Sequence, residues 1–181
     1  MDKGFKGLDR PAFVLVLLCV AVALSAIASA WFIQLVLGVL PCPLCLEQRL
    51  SYYAGLPVAC LLLVLLRDGR RRVLIKPLLL VLCFCFAAGA GLGLYHAGVE
   101  WALWPGPSEC TGQLAPMAGA ADLLSQLDKV KVIRCDQVSF RLFGQSLAVW
   151  NVVVSTCVMG LSLLALRAEI KRAHGSNSLS Q

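Results

Sequence analysis

Two cysteines stand two residues apart in the segment Pro41-Cys42-Pro43-Leu44-Cys45, between one long apolar run and the next. This C-x-x-C spacing is typical of redox dithiols and also of zinc sites. If a helix begins here, Cys45 and Arg49 lie four residues apart on the same face. The positive end of the helix dipole and the guanidinium would both favour the Cys45 thiolate, which is the reactive form. The pattern therefore predicts a redox dithiol at a membrane surface.

The chain has seven further cysteines, nine in all. Cys110 and Cys135 also lie outside the apolar runs, so the four outlying thiols could form either an all-cysteine zinc site or two disulfides. Because 24 residues separate the second pair, two disulfides are favoured. As a purely structural bridge, this pair would stabilise the fold by about 3–4 kcal/mol. The other five lie in apolar runs, where we expect small buried hydrophobes: Cys19, Cys60, Cys83, Cys85 and Cys157.

The composition indicates a membrane protein. Of the 181 residues, 59% are hydrophobic and 14% are charged, whereas a soluble domain has about 25% charged residues. Four long apolar runs leave too little chain for a separate soluble domain of ordinary size. We therefore predict an all-α membrane protein, a single four-helix transmembrane bundle. The net charge of +6 is not taken to indicate a nucleic-acid partner.

The predicted spans cover residues 12–34, 46–66, 73–96 and 147–166, with outer loops at 35–45 and 97–146. Ala28-Ser29-Ala30 resembles a signal-peptide cleavage site, but the uncharged run around it is far longer than the roughly 7–15 residues of a signal peptide. An uncleaved first span is the better interpretation. In the third span we expect three glycines to let another helix or a ligand approach closely: Gly89, Gly91 and Gly93.

The basic residues predict the orientation of the spans. Eleven of the sixteen lysines and arginines belong to the two termini and the turn at residues 67–76, and five belong to the opposite side. The positive-inside rule then puts both termini in the cytoplasm. The four outlying cysteines would face outward, the side on which disulfides persist.

The long outer loop contains a helical pattern of apolar residues between Leu114 and Lys131. A short helix lying on the membrane surface and an ordinary loop helix fit this pattern equally well. Two acidic residues nearby, Glu100 and Glu109, are expected to be solvated.

These features together resemble the DsbB family, the disulfide-forming quinone reductases of the bacterial inner membrane. The resemblance is carried by the four spans, the outward Cys-Pro-Leu-Cys followed by Gln48-Arg49, a histidine near the outer end of the third span, and the loop cysteine pair. Shorter segments also resemble the family's pattern: Cys135-Asp136, Phe143-Gly144 and Trp150-Asn151. The similarity extends from about Phe13 to Leu166.

The resemblance implies a role for each of these residues. Cys110 and Cys135 would form the disulfide that oxidises a periplasmic DsbA-like thioredoxin-fold partner. Cys42 and Cys45 would reoxidise that pair and pass two electrons to ubiquinone or menaquinone from the membrane pool. Three residues would contact the quinone: Cys45, Arg49 and His96. A DsbA-type partner is itself a strong oxidant, at about −120 mV, so the final acceptor must be more oxidising still.

Alternatives remain open from the sequence alone. Arg49 and His96 could simply anchor their spans at the membrane interface. A vitamin K epoxide reductase-like enzyme is also a four-span dithiol protein, but there the C-x-x-C would be expected on the last span. A membrane metal-binding protein could use the four outward thiols as ligands, although our prediction includes no metal.

Overall fold

The protein is an antiparallel bundle of four long helices. The structure, a computed structural model, describes residues 11–68, 72–107, 134–138 and 140–178. The helices are α1 (Pro11–Leu35), α2 (Pro43–Asp68), α3 (Ile75–Glu100) and α4 (Leu147–Ser178), and a short 3-10 turn, Arg72–Leu74, precedes α3. All four are long and apolar enough to cross a membrane. This confirms the predicted fold class. The predicted interfacial helix between Leu114 and Lys131 lies outside the described residues.

Local sequence explains where several elements begin. Pro11 and Pro43 are the first residues of α1 and α2, a position where the missing proline N–H costs nothing. Ahead of α4, the strands β1 (Arg141–Leu142) and β2 (Gln145–Ser146) form an antiparallel hairpin. Its two central residues, Phe143 and Gly144, both have positive φ, as a tight two-residue hairpin turn requires. Ser146 Oγ then accepts the Val149 amide at 3.4 Å and caps α4.

The helices pack as a ring in chain order. The main contacts join α1 to α2, α2 to α3, α3 to α4, and α4 back to α1. Glycines on α3 allow close approach, as predicted. A Cβ built at Gly89 would lie 2.7 Å from the Ser51 hydroxyl of α2, and one at Gly93 would lie 2.8 Å from Val152 of α4. A Cβ built at Gly91, by contrast, would meet no atom of another described element within 4 Å, so the prediction is wrong at that position.

The periphery of the bundle is apolar, as expected where lipid surrounds it. Phe84 is 75% exposed and Leu24 is 55% exposed, although both belong to strongly hydrophobic helices. The prediction that all five span cysteines are buried is wrong for the same reason. Cys19 is buried, but Cys60 and Cys157 are exposed on the outer surface. A helix in lipid is apolar on every side, so hydrophobicity does not identify its buried face.

Candidate functional site

The C-x-x-C pair lies at the start of α2, as the sequence predicted. Because α2 begins at Pro43, Cys42 occupies the N-cap position, and its Sγ accepts the backbone N–H of Cys45 at 3.3 Å. The two sulfurs are 2.9 Å apart, and both cysteines are free thiols in this structure. An N-cap sulfur at the positive end of a helix dipole is well placed to carry a negative charge.

The Cys45 backbone N–H and His96 Nε2 both lie near the Cys42 sulfur. The sequence predicts the thiolate at Cys45 instead. The hydrogen bond between the Cys42 and Cys45 sulfurs holds the pKa of Cys42 well below its ordinary value, and contact with His96 lowers it further. Burial of Cys42 opposes both effects. The helix does favour a thiolate, but on the residue that caps it.

His96 connects the dithiol to α3. Gln48 Nε2 lies 2.7 Å from His96 Nδ1, and since an amide nitrogen only donates, the proton of the neutral ring is on Nε2. That Nε2 is 3.7 Å from Cys42 Sγ. His96 is 2% exposed, so it is a buried partner of the thiol and more than an interfacial anchor.

Arg49 contacts two residues of α1. Its NH1 donates to Gln34 Oε1 at 2.7 Å, and its guanidinium lies over the Trp31 ring, 5.4 Å from the centroid. Arg49 is only 9% exposed. Among the described residues this guanidinium has one amide acceptor and one aromatic face, which leaves N–H groups that could bind a further acceptor. We had expected Arg49 to act on the Cys45 sulfur, but its described contacts are with α1.

Glu100 is buried, contrary to the expectation that it is solvated. Its side chain is 6% exposed, and its Oε1 lies 3.8 Å from His96 Nε2, one helical turn away. The Ser146 hydroxyl hydrogen-bonds the carboxylate. The end of α3 is covered by the β1–β2 hairpin, which an outer-loop assignment from sequence did not anticipate. Glu109 lies outside the described residues.

Cys135 packs against the dithiol. It is 1% exposed, belongs to a small buried cluster with Cys42, and is disulfide-bonded. Its Sγ lies within 4.8 Å of Cys42 Sγ and of His96 Nε2, and its backbone hydrogen-bonds His96. Three such ligands within this distance could also suit a metal ion, but a sulfur already in a disulfide is not available as a thiolate ligand. Cys110 lies outside the described residues.

A cavity of about 320 Å³ joins these groups. Apolar residues of α1 form one wall, including Val22, Ala26 and Ile33. The predicted residues Cys42, Cys45, Arg49 and His96 all line it, together with three polar residues that the sequence analysis did not assign to the site: Gln48, Glu100 and Asn151. Asn151 accepts a hydrogen bond from Tyr52 at 2.7 Å and donates to the Gly89 carbonyl at 3.1 Å. Polar residues within apolar runs were the available signal for the missed ones.

Four helices long and apolar enough to span a membrane, with a hydrogen-bonded dithiol beside a further disulfide, are the features of a membrane thiol–disulfide oxidoreductase. The chain matches the family model described as disulfide bond formation protein DsbB over residues 11–165. It therefore belongs to the DsbB family, and it is a membrane disulfide-bond-formation protein. Comparison with curated proteins and with solved structures gave no match.

Proposed function

We propose that this protein reoxidises a periplasmic DsbA-like thiol oxidase and passes the two electrons, through Cys110–Cys135 and then Cys42–Cys45, to ubiquinone or menaquinone. Both termini would be cytoplasmic, and the four cysteines would face the periplasm. The observation that carries the proposal is the position of Cys42, whose sulfur lies within 4.8 Å of the disulfide-bonded Cys135 sulfur.

The oxidation states of the cysteines fit one step of such a relay. Cys135 is disulfide-bonded, while Cys42 and Cys45 are free thiols. We infer that Cys110 is the partner of Cys135, and that the loop pair passes its electrons to the C-x-x-C pair. In that transfer a Cys135 thiolate attacks the Cys42 sulfur and displaces Cys45; a Cys110 thiolate then attacks the Cys135 sulfur, which re-forms the loop disulfide and releases Cys42 as a thiolate.

The cavity fits a quinone head group. Its walls are largely apolar, and it is lined by Cys45 and by the buried donors Arg49 and His96. A quinone would supply an acceptor for two electrons and two protons. Arg49 would donate to one of its oxygens, Cys45 would contact the ring, and His96 would lie on the opposite side. Gln34 and Trp31 would hold the Arg49 fork in place.

The low pKa of Cys42 suits its place in the relay. In thiol–disulfide exchange a sulfur with a low pKa is the better leaving group. Cys42 is the thiol nearest the loop disulfide, so it is the one released as thiolate when Cys135 finally leaves it. A stabilised Cys42 thiolate therefore drives electrons from the loop pair towards the C-x-x-C pair.

The test is purified protein with a reduced DsbA-like substrate, with and without added ubiquinone or menaquinone analogue. We expect quinone-dependent oxidation of the substrate, and its loss in Cys135→Ser. The Cys135→Ser protein should still form the Cys42–Cys45 disulfide when quinone is added. Wild-type rates of substrate oxidation in Cys135→Ser would instead make the loop disulfide a structural bridge. Cys157→Ser, at an exposed cysteine on α4, is the control and should behave as wild type.

A further inference from the structure

The buried carboxylate of Glu100 has no role in the relay as described above. Its side chain is 6% exposed, and its Oε2 has no hydrogen-bond partner among the residues that the structure describes. A buried carboxylate that is ionised and incompletely hydrogen-bonded is strongly disfavoured. The same carboxyl group as a neutral acid carries no such penalty, and its O–H can be a donor.

Cys42 and Glu100 lie on either side of a single histidine nitrogen. His96 Nε2 is 3.7 Å from Cys42 Sγ and 3.8 Å from Glu100 Oε1. Gln48 occupies Nδ1, so the neutral ring offers only one proton to these two groups. The charges on Cys42 and Glu100 also act on each other directly. Two anions in one buried site repel, so the second ionises only with difficulty once the first is charged.

Other charged groups near Glu100 do not remove this conflict. Arg141 of β1 is the cation from the hairpin side, but its side chain is exposed and its field is screened by water. Among the residues that the structure describes, the remaining titratable groups acting on this site are the histidine and the two thiols: His96 on α3, Cys45 on α2, and Cys42 before it.

We propose that Cys42 and Glu100 share one proton, so that Glu100 holds it as a neutral carboxylic acid while Cys42 is a thiolate and releases it when Cys42 enters the disulfide. The delivery of the Glu100 proton to a quinone rests on the proposed function. Glu100 is thus a positioning residue for a proton, acting on Cys42 through their mutual charge and through His96.

The redox step then balances. The Cys42 thiolate and the Cys45 thiol lose two electrons as the bond between their sulfurs forms. The two electrons go to the quinone, together with one proton from Cys45 and one from Glu100. Neutral disulfide and ionised Glu100 remain, with the same net charge of −1 as before. When the loop pair reduces the disulfide again, Glu100 regains its proton as Cys42 becomes a thiolate.

The direct test is infrared difference spectroscopy on quinone-free protein, comparing the dithiol and disulfide states of the C-x-x-C pair at neutral pH. We expect a protonated-carboxyl band in the dithiol state that disappears on oxidation. The band should be absent in Glu100→Gln and unchanged in Glu47→Gln, the matched control at an exposed glutamate on α2. A band that persists through oxidation, or one that survives Glu100→Gln, would overturn the proposal.

Because the charges on Cys42 and Glu100 act on each other, a change at Cys42 should also change the pH at which Glu100 ionises. This gives a second measurement that does not depend on turnover. In Cys42→Ser no thiolate can form, so the same band should disappear at a lower pH than in the reduced wild type. An unchanged midpoint would show that Glu100 does not sense Cys42. Circular dichroism of each variant would verify that the bundle is intact.

Turnover separates this inference from the proposed function. Glu100→Gln should slow quinone-dependent disulfide formation about a hundredfold, within the range for loss of one positioned proton donor. If wild-type protein shows no quinone-dependent turnover but does show the redox-linked carboxyl band, the proposed function fails and the shared proton stands. If turnover depends on quinone but the band does not change with redox state, the reverse holds.

Discussion

The two ends of the helix bundle are built on different principles. At one end the interior is apolar and fully packed by residues such as Leu62, Leu66, Leu79 and Leu82, all of which are 0% exposed. At the other end, buried side chains meet through hydrogen bonds that depend on protonation, such as those between His96 and its neighbours. Even the buried Ser162 hydroxyl in the apolar half donates to the Val158 carbonyl of its own helix. Stability and chemistry are therefore separated along the bundle axis.

The largest expected effect comes from a substitution that destabilises only the apolar end of the bundle. Leu82→Ala should lower the free energy of unfolding by about 3 kcal/mol, because it leaves a cavity where Leu82 is 0% exposed. Leu80→Ala is the matched control, since Leu80 is 54% exposed on the same helix and should cost far less. Detergent-based unfolding measures both. The alkylation rate of Cys42 should not change in either variant, and a change in Leu82→Ala would show that the two ends are coupled.

The next effect concerns the site end. Arg49→Lys keeps the charge but loses the planar fork that donates to Gln34 and stacks on Trp31. With one charge-assisted hydrogen bond weakened, the KM for quinone should rise roughly ten- to a hundredfold. Arg67→Lys, at an exposed arginine near the opposite end of α2, should leave KM unchanged. An unaltered KM in Arg49→Lys would leave Arg49 as an interfacial anchor.

The smallest effect is on the pH dependence of Cys42. Because the Cys45 thiol is the main cause of its low pKa, the Cys42 thiolate persists as pH falls below the ordinary thiol range. Cys45→Ala removes that donor, so the pKa of Cys42 should rise and its alkylation at neutral pH should slow about tenfold. Mass analysis of the Cys42 peptide isolates its rate from those of the other thiols. Cys60→Ala is the control, and an equal slowing there would contradict the local explanation.

The sequence predicted what depends on length and spacing, and it missed what depends on helix rotation. Long apolar runs were sufficient for the four helices, whereas the family resemblance also needed the positions of the cysteines, Arg49 and His96. The contact between Arg49 and Gln34 depends on how α1 is rotated about its axis, and uniform hydrophobicity carries no information about rotation. The same lack of information about helix rotation explains why Cys60 was expected to be buried.

At the dithiol, the exact residue at which α2 begins determines which cysteine caps the helix. Starting α2 at Pro43 makes Cys42 the cap and directs the Cys45 amide at its sulfur. The sequence predicted that a helix begins at the dithiol, and the structure adds that the residue capping this helix is Cys42. Glu100 could have been identified from its spacing, because it follows His96 by one helical turn.

The hairpin before α4 also fixes how far Cys135 can travel. Arg141 of β1 is paired with Ser146, which caps α4, and only five residues, 136–140, separate Arg141 from Cys135. A fully extended segment of that length spans roughly 20 Å, so Cys135 is a short-tethered reactant. Tethers of this size hold a group at an effective concentration in the millimolar range. Cys42 would therefore meet Cys135 at the same high local concentration in every cycle, whatever the supply of soluble partner outside.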